Sequence, residues 1–140
     1  MSTRADKYTL TDRDPQVYSD FTNNLSTHPI SKNVLRYFDD RAVSNSIRNL
    51  ILTGRGERLY QPNLGSGIYK MLFEPMDGST ADTLRMLIAD TIAQHEPRAR
   101  VLEVDVVAQY ERNSYLISVK YLIINKEAPI TLTITLDRVR

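Results

Sequence analysis

Apolar residues recur along this chain in two rhythms, and the change from one to the other divides it. Val43, Ile47, Leu50 and Ile51 fall at i, i+4, i+7 and i+8, the spacing that gathers side chains on one face of a helix. Leu84, Leu87, Ile88, Ile92 and His95 form a second stripe, with Arg85, Asp90 and Gln94 lying elsewhere. His95 is therefore expected to be partly buried. Ile68, Met71, Leu72 and Phe73 predict a short turn of helix, stopped by Pro75 and Gly78. Beyond residue 100 the period becomes two. Leu102, Val104, Val106 and Ala108 alternate with Glu103, Asp105 and Val107, and Tyr115–Ile124 is rich in β-branched and aromatic residues. Ile130, Leu132, Ile134 and Leu136 then alternate with Thr131, Thr133 and Thr135, which predicts a half-buried strand with one wet face.

The punctuation between these segments sharpens the reading. Asp39-Asp40 suit the start of the first helix by capping and by the helix dipole, and Gly54 and Gly56 suit its end. Ser79-Thr80 with Asp82 resembles a capping arrangement for the longest helix. Glu96-Pro97 closes that helix, because a residue before proline avoids the helical region. Residues 54–67 read as loop with one short strand around Arg58–Tyr60. Ahead of the first helix, Val17, Tyr18 and Phe21, then Val34, Leu35, Tyr37 and Phe38, predict two short extended pieces joined by a loop. Residues 1–16 are polar and aperiodic and are expected to form a flexible arm, leaving 17–140 as one domain. The fold class that follows is α+β: two main helices plus a short one packed on one face of an antiparallel sheet with a C-terminal three-stranded meander.

Composition narrows the chemistry. A chain of 140 residues with 41% hydrophobic and 25% charged side chains has the material for one folded core. It has no cysteine, so disulfides and thiolate metal sites are excluded. No apolar stretch follows Met1 and none approaches bilayer-spanning length, so neither signal peptide nor membrane partner is expected. The net charge is +1, from 18 basic and 17 acidic side chains that are interleaved. That balance argues against a nucleic-acid partner. His28 and His95 stand far apart without ligand-spaced acids, so no metal or other cofactor is expected. Gly65-Ser66-Gly67 lacks a following Gly-Lys-Ser/Thr and reads as backbone geometry before a short helix rather than a phosphate loop.

Several groups of residues together resemble one family. They are Val17-Tyr18-Ser19-Asp20-Phe21, the Ala42–Thr53 helix, Gly56-Glu57-Arg58, Pro62, Gly65-Ser66-Gly67, Leu72-Phe73-Glu74 and Glu96-Pro97-Arg98. In this order and spacing, from about residue 17 to about 136, the chain resembles the baseplate wedge and sheath-initiator proteins of contractile phage tails. That family has lysozyme-like labels among its members and relatives in type VI secretion baseplates. The resemblance implies a structural subunit without catalysis. Its partners would be the helical core-bundle proteins of the wedge, bound through Glu96, Pro97 and Arg98. Tail sheath subunits would pair their arms with a sheet edge formed by the C-terminal strands, and tube or hub proteins are further candidates. The implied location is the virion tail baseplate, assembled in the host cytoplasm.

Each site has a plainer reading. Glu96-Pro97-Arg98 is either a rigid corner projecting its charges toward a partner or an internal Glu–Arg clasp at a helix stop. The resemblance favours the first, with the guanidinium making bidentate contacts. Glu57 and Arg58 either hold the glycine-marked turn together or meet a partner. The Thr131, Thr133 and Thr135 face is either solvent face or part of an edge strand that accepts another strand. A glycoside hydrolase would need two carboxyl groups about 5–10 Å apart. Glu57, Glu74, Asp77 and Glu96 are the candidates, but none sits in a recognisable constellation, and arginines beside Glu57 and Glu96 favour ionised carboxylates. A regulatory adaptor is the other alternative, since a related anti-adaptor family shares part of the fold. The Tyr18–Phe21 and Gly56–Arg58 segments favour the baseplate.

Overall fold

The computed structural model describes residues 17–124 and 126–138. The arm expected for residues 1–16 lies outside the described residues. Strands β1 (Ser19–Phe21) and β2 (Arg36–Phe38) pair antiparallel, with Ser19 opposite Phe38. They are the two short extended pieces read from the sequence.

Helix α1 (Asp39–Leu52) follows directly and buries Ala42, Val43, Ile47, Leu50 and Ile51, the predicted stripe. Asp39 and Asp40 occupy its first turn, but neither side chain caps it. Asp39 Oδ1 instead accepts the amides of Val17 and Tyr18 at 3.0 and 3.2 Å, and Asp40 pairs with Lys126 at 2.6 Å. The two carboxylates are thus committed to tertiary links, holding the strand before the helix and the turn before the last strand. The end of α1 also differs from expectation. Thr53 turns extended, and the chain is caught by residues returning from the next loop rather than by a glycine cap. Ser66 N donates to Thr53 O at 2.8 Å, and Ser66 Oγ donates to Ile51 O at 2.6 Å, satisfying carbonyls that a helix end otherwise leaves open. Gly65 makes this return with φ +116°, where an added Cβ would sit 2.6 Å from Thr53 O.

No strand forms at Arg58–Tyr60; these residues lie in turns, with Leu59 and Tyr60 93% and 97% exposed and no sheet beside them. Helix α2 (Ile68–Met71) is the short turn expected, followed by α3 (Gly78–His95). Gly78 opens α3 rather than stopping α2. The cap is Asp77, whose Oδ1 accepts Thr80 N at 2.7 Å; Asp82 pairs with Arg85 at 2.7 Å instead of capping. The amide that Asp77 accepts holds its carboxyl below the ordinary value.

The sheet is β3 (Ala99–Gln109), β4 (Ser114–Ile123) and β5 (Ile130–Asp137), antiparallel in the order β3-β4-β5. The fold is the α+β class expected, including the three-stranded meander. One expectation for β3 fails. The register steps from Val101 opposite Tyr121 to Glu103 opposite Lys120, so Leu102 is the extra residue of a bulge and is 48% exposed. A single inserted residue shifts the alternation by one. Ala99 and Val101 therefore face the core on one side of the bulge, and Val104, Val106 and Ala108 on the other. In β5, Ile134 and Leu136 are buried while Thr131, Thr133 and Thr135 are exposed, as the alternation requires. The core joins Val43, Ile47 and Ile51 of α1, Leu84, Ile88 and Ile92 of α3, and the inner row Val106, Ile117 and Ile134 of the sheet. Arg138 then ties the chain end to the α2–α3 connection, donating to Leu72 O at 2.8 Å and Glu74 O at 2.9 Å.

The glycines of the 65–67 turn separate by experiment. Gly65→Ala is expected to destabilise the protein by about 1 kcal/mol or more, because alanine would be strained at positive φ. At Gly67, φ is −87° and an added Cβ meets only Leu87 Cδ2 at 3.5 Å. There the change should stay within about 0.5 kcal/mol. Urea denaturation of the two variants measures both.

Candidate functional site

Helix α3 cannot continue through Pro97, so its last residue before the turn, Glu96, leaves the helix with φ −124° and ψ 79°. Its amide still donates to Ile92 O at 2.8 Å, and its carbonyl accepts Ala99 N at 3.2 Å, which starts β3 within three residues. This tight corner turns the Glu96 side chain inward, where it is only 3% exposed. A buried carboxylate needs compensation, and three donors supply it. Arg98 Nε reaches Oε1 at 2.6 Å and Arg98 Nη2 reaches Oε2 at 2.7 Å, the two-pronged geometry that only a guanidinium provides. Ser46 Oγ, from α1, donates to Oε2 at 2.5 Å.

The picture of both charges projecting outward is therefore corrected: Glu96 is spent inside the protein, as an internal clasp. What faces solvent is Pro97 and part of the Arg98 side chain, which is 31% exposed. Arg98 lies 5.4 Å from the centroid of the Tyr18 ring. Its Nη1 makes no hydrogen bond among the described residues. Burial pushes the Glu96 carboxyl up, but the hydrogen bonds from Arg98 and Ser46, with the Arg98 charge, outweigh it and leave the pKa below its ordinary value. Arg98 is raised in turn, first by its bond to Glu96, with a contribution from the charge of Asp20.

Glu57 and Arg58 divide. Glu57 Oε2 accepts Gly54 N at 2.8 Å, so Glu57 shapes its own turn. Arg58 is exposed, and its side chain has neither an ion pair nor a hydrogen bond among the described residues. It borders a cleft of about 280 Å3 together with Asp20, Ser46, Asn49 and His95. Ser46 belongs both to this cleft and to the Glu96 clasp, so the structure brings Arg58 and the Glu96–Arg98 corner onto one side of α1. His95 is half-buried there, as its place on the stripe suggested. Thr131, Thr133 and Thr135 are not part of this corner; they lie on the face of the sheet opposite the helices.

Ser46, Tyr18 and Asp20 were not singled out as site residues. Ser46 stands one residue before the core position Ile47, and its role depends on a residue fifty positions away, which no local pattern reveals. Three of the four carboxylates weighed for glycoside hydrolysis serve other ends, and the fourth, Glu74, is exposed. Glu57 and Asp77 hold backbone amides and Glu96 is clasped by arginine, while the Glu74 backbone carbonyl receives Arg138.

The clasp has a stability signature. A carboxyl whose folded pKa is lowered stabilises the fold above its unfolded value and loses that contribution as pH falls through the folded value. Thermal melts of the native chain should therefore weaken on acidification below the ordinary carboxylate range more steeply than melts of Glu96→Gln. At neutral pH, Arg98→Ala should cost about 3–5 kcal/mol, because it leaves a buried charge unpaired. Glu96→Gln should cost less, about 1–3 kcal/mol; equal costs would contradict the clasp.

Known proteins resemble this chain in sequence and in fold. The sequence profile of the family described as baseplate wedge protein gp25 matches residues 39–128, which include the clasp and most of the sheet. The baseplate wedge protein gp25 of Enterobacteria phage T4 is 29% identical over 110 residues, covering 79% of this chain and 83% of that protein. Among solved structures, a subunit in the baseplate of the anti-feeding prophage superposes with TM-score 0.69 at 22% identity, over 78% of this chain and 87% of that one. A Geobacter sulfurreducens protein named as a tail lysozyme gives TM-score 0.68 at 22% identity, over 72% and 92%. At this identity the likeness is one of fold, and the lysozyme name carries no catalytic evidence. The matched profile spans well over half of the chain, and the chain belongs to the gp25 family of baseplate wedge proteins, structural components of contractile tails rather than enzymes.

Proposed function

We propose that this wedge protein docks on the core-bundle proteins of its baseplate through the corner formed by Pro97, Arg98 and Arg58, and that it starts the sheath by strand pairing at the C-terminal sheet. The observation that carries the docking half is the division of labour within Arg98. One edge of its guanidinium is fixed by Glu96, and the remaining donors are held at a rigid, proline-defined position. A guanidinium already ordered loses little freedom on binding. With the unpaired Arg58 nearby, the corner suits a partner that offers carboxylates or the open carbonyls of a helix C-terminus. Glu96 supports binding by holding Arg98 rather than by touching the partner, and Glu57 by shaping the loop that carries Arg58. Support for the sheath half comes from β5, which among the described residues has a neighbour on one side only, and from its wet threonine row. Such an assembly takes place within the tail baseplate, built in the host cytoplasm.

Because Arg98→Ala also breaks the clasp, the test uses milder changes. Arg98→Lys keeps a charge for Glu96 but loses the planar donor array, and Arg58→Glu alters an exposed residue. In pull-downs with the co-expressed wedge core-bundle subunits, each variant should bind about 10-fold more weakly or worse, equivalent to about 1.4 kcal/mol, with Arg58→Glu melting as the native chain does. Undiminished binding by both would move the docking surface away from this corner.

A further inference from the structure

The two edges of the sheet are not alike. Natural edge strands are guarded by bulges, prolines or charged residues that discourage further pairing. β3 carries the Leu102 bulge and the charged residues Arg100, Glu103 and Asp105. β5 has none of these from Ile130 to Leu136, and its register with β4 runs unbroken from Tyr121 opposite Ile130 to Ser114 opposite Asp137. The open edge is β5.

Beside β5 lies a groove of about 350 Å3 lined by Tyr37, Arg41, Ser44, Asn45, Arg48 and Leu132. Its wall is α1. The Ser44 hydroxyl is already bonded to Asp40 O and to the Tyr121 hydroxyl, and the Asn45 amide donates to Asp20. Arg41 and Arg48, seven residues apart on the helix, are exposed, and their side chains have neither an ion pair nor a hydrogen bond among the described residues. The charged groups that line this groove, unspent among the described residues, are thus two guanidinium groups.

We propose that this groove receives an extended partner segment that adds to β5 as a fourth strand and directs acidic side chains, at alternate positions, toward Arg41 and Arg48. The inference rests on the strand-pairing reading above and adds the chemistry of the partner. Seven helical residues advance about 10 Å. Same-side residues of a strand repeat about every 6.7 Å, so acids two or four positions apart fall within reach of the two long side chains. The other side of the added strand continues the threonine row and faces water. Main-chain bonds to β5 hold the segment, and the arginines select its sequence and register.

The test uses the full chain and fluorescein-labelled peptides of about ten residues, alternating threonine with glutamate or threonine with lysine, followed by anisotropy at low salt. The glutamate peptide should bind at least about 10-fold more tightly than the lysine peptide. The preference should reverse in the Arg41→Glu/Arg48→Glu double variant, with an unchanged melting temperature showing that the fold is retained. N-methylation of alternate peptide amides should abolish binding. Equal binding of the two peptides, still abolished by N-methylation, would overturn the acidic selectivity while leaving strand pairing intact. Binding of neither peptide, or binding insensitive to N-methylation, would overturn the pairing and the selectivity with it.

Discussion

A carboxylate that is 3% exposed must be matched by donors, and the matching of Glu96 determines how three parts of this protein meet. Its partners come from the residue just before the sheet, Arg98, and from the middle of the first helix, Ser46. Arg98 in turn lies against Tyr18, the residue just before the first strand. The same turn passes the Arg98 carbonyl to Ile124 N at 3.0 Å, anchoring the far end of β4. Apolar packing gives the larger share of the stability of such a fold. Packing is not directional, however, whereas the bidentate clasp fixes where the end of α3, the start of β3 and the flank of α1 must lie.

The sequence carried the elements whose signals are local. The stripes of α1 and α3, the meander and the wet threonine face all follow from period and alternation, and each appears where the pattern places it. The errors occur where a distant residue overrides a local cue. Asp39 and Asp40 look like helix caps but are drawn to Val17, Tyr18 and Lys126. Gly54 looks like a helix stop, yet the end of α1 is set by Ser66 returning from the loop. Leu102 fits the alternation of β3 but falls on a bulge, a choice made by the register with β4. The site was legible in the same partial way. Glu96-Pro97-Arg98 could be picked out as a motif, and both of its physical readings could be written down. Which of them the protein uses depended on Ser46, which no spacing rule connects to it.

The clasp draws on Ser46 of α1 and the groove beside β5 on Arg41, Ser44, Asn45 and Arg48 of the same helix, and the chemistry of each differs. The corner offers preorganised arginine donors on a proline-fixed turn. The β5 edge offers backbone that is unpaired among the described residues, with arginines set beside it. The tertiary bond between Asp40 and Lys126, at 2.6 Å, ties α1 to the turn leading into β5 and so keeps the groove beside the edge in place.

The most direct measurement is hydrogen–deuterium exchange of the chain alone and in complex with the co-expressed core-bundle subunits, before any sheath is added. The account predicts new protection at residues 56–60 and 95–98, with the amides on the outer edge of β5 exchanging as in the free protein. Protection confined to β5 or to the bulged edge of β3, with the Glu96–Arg98 corner unchanged, would contradict it.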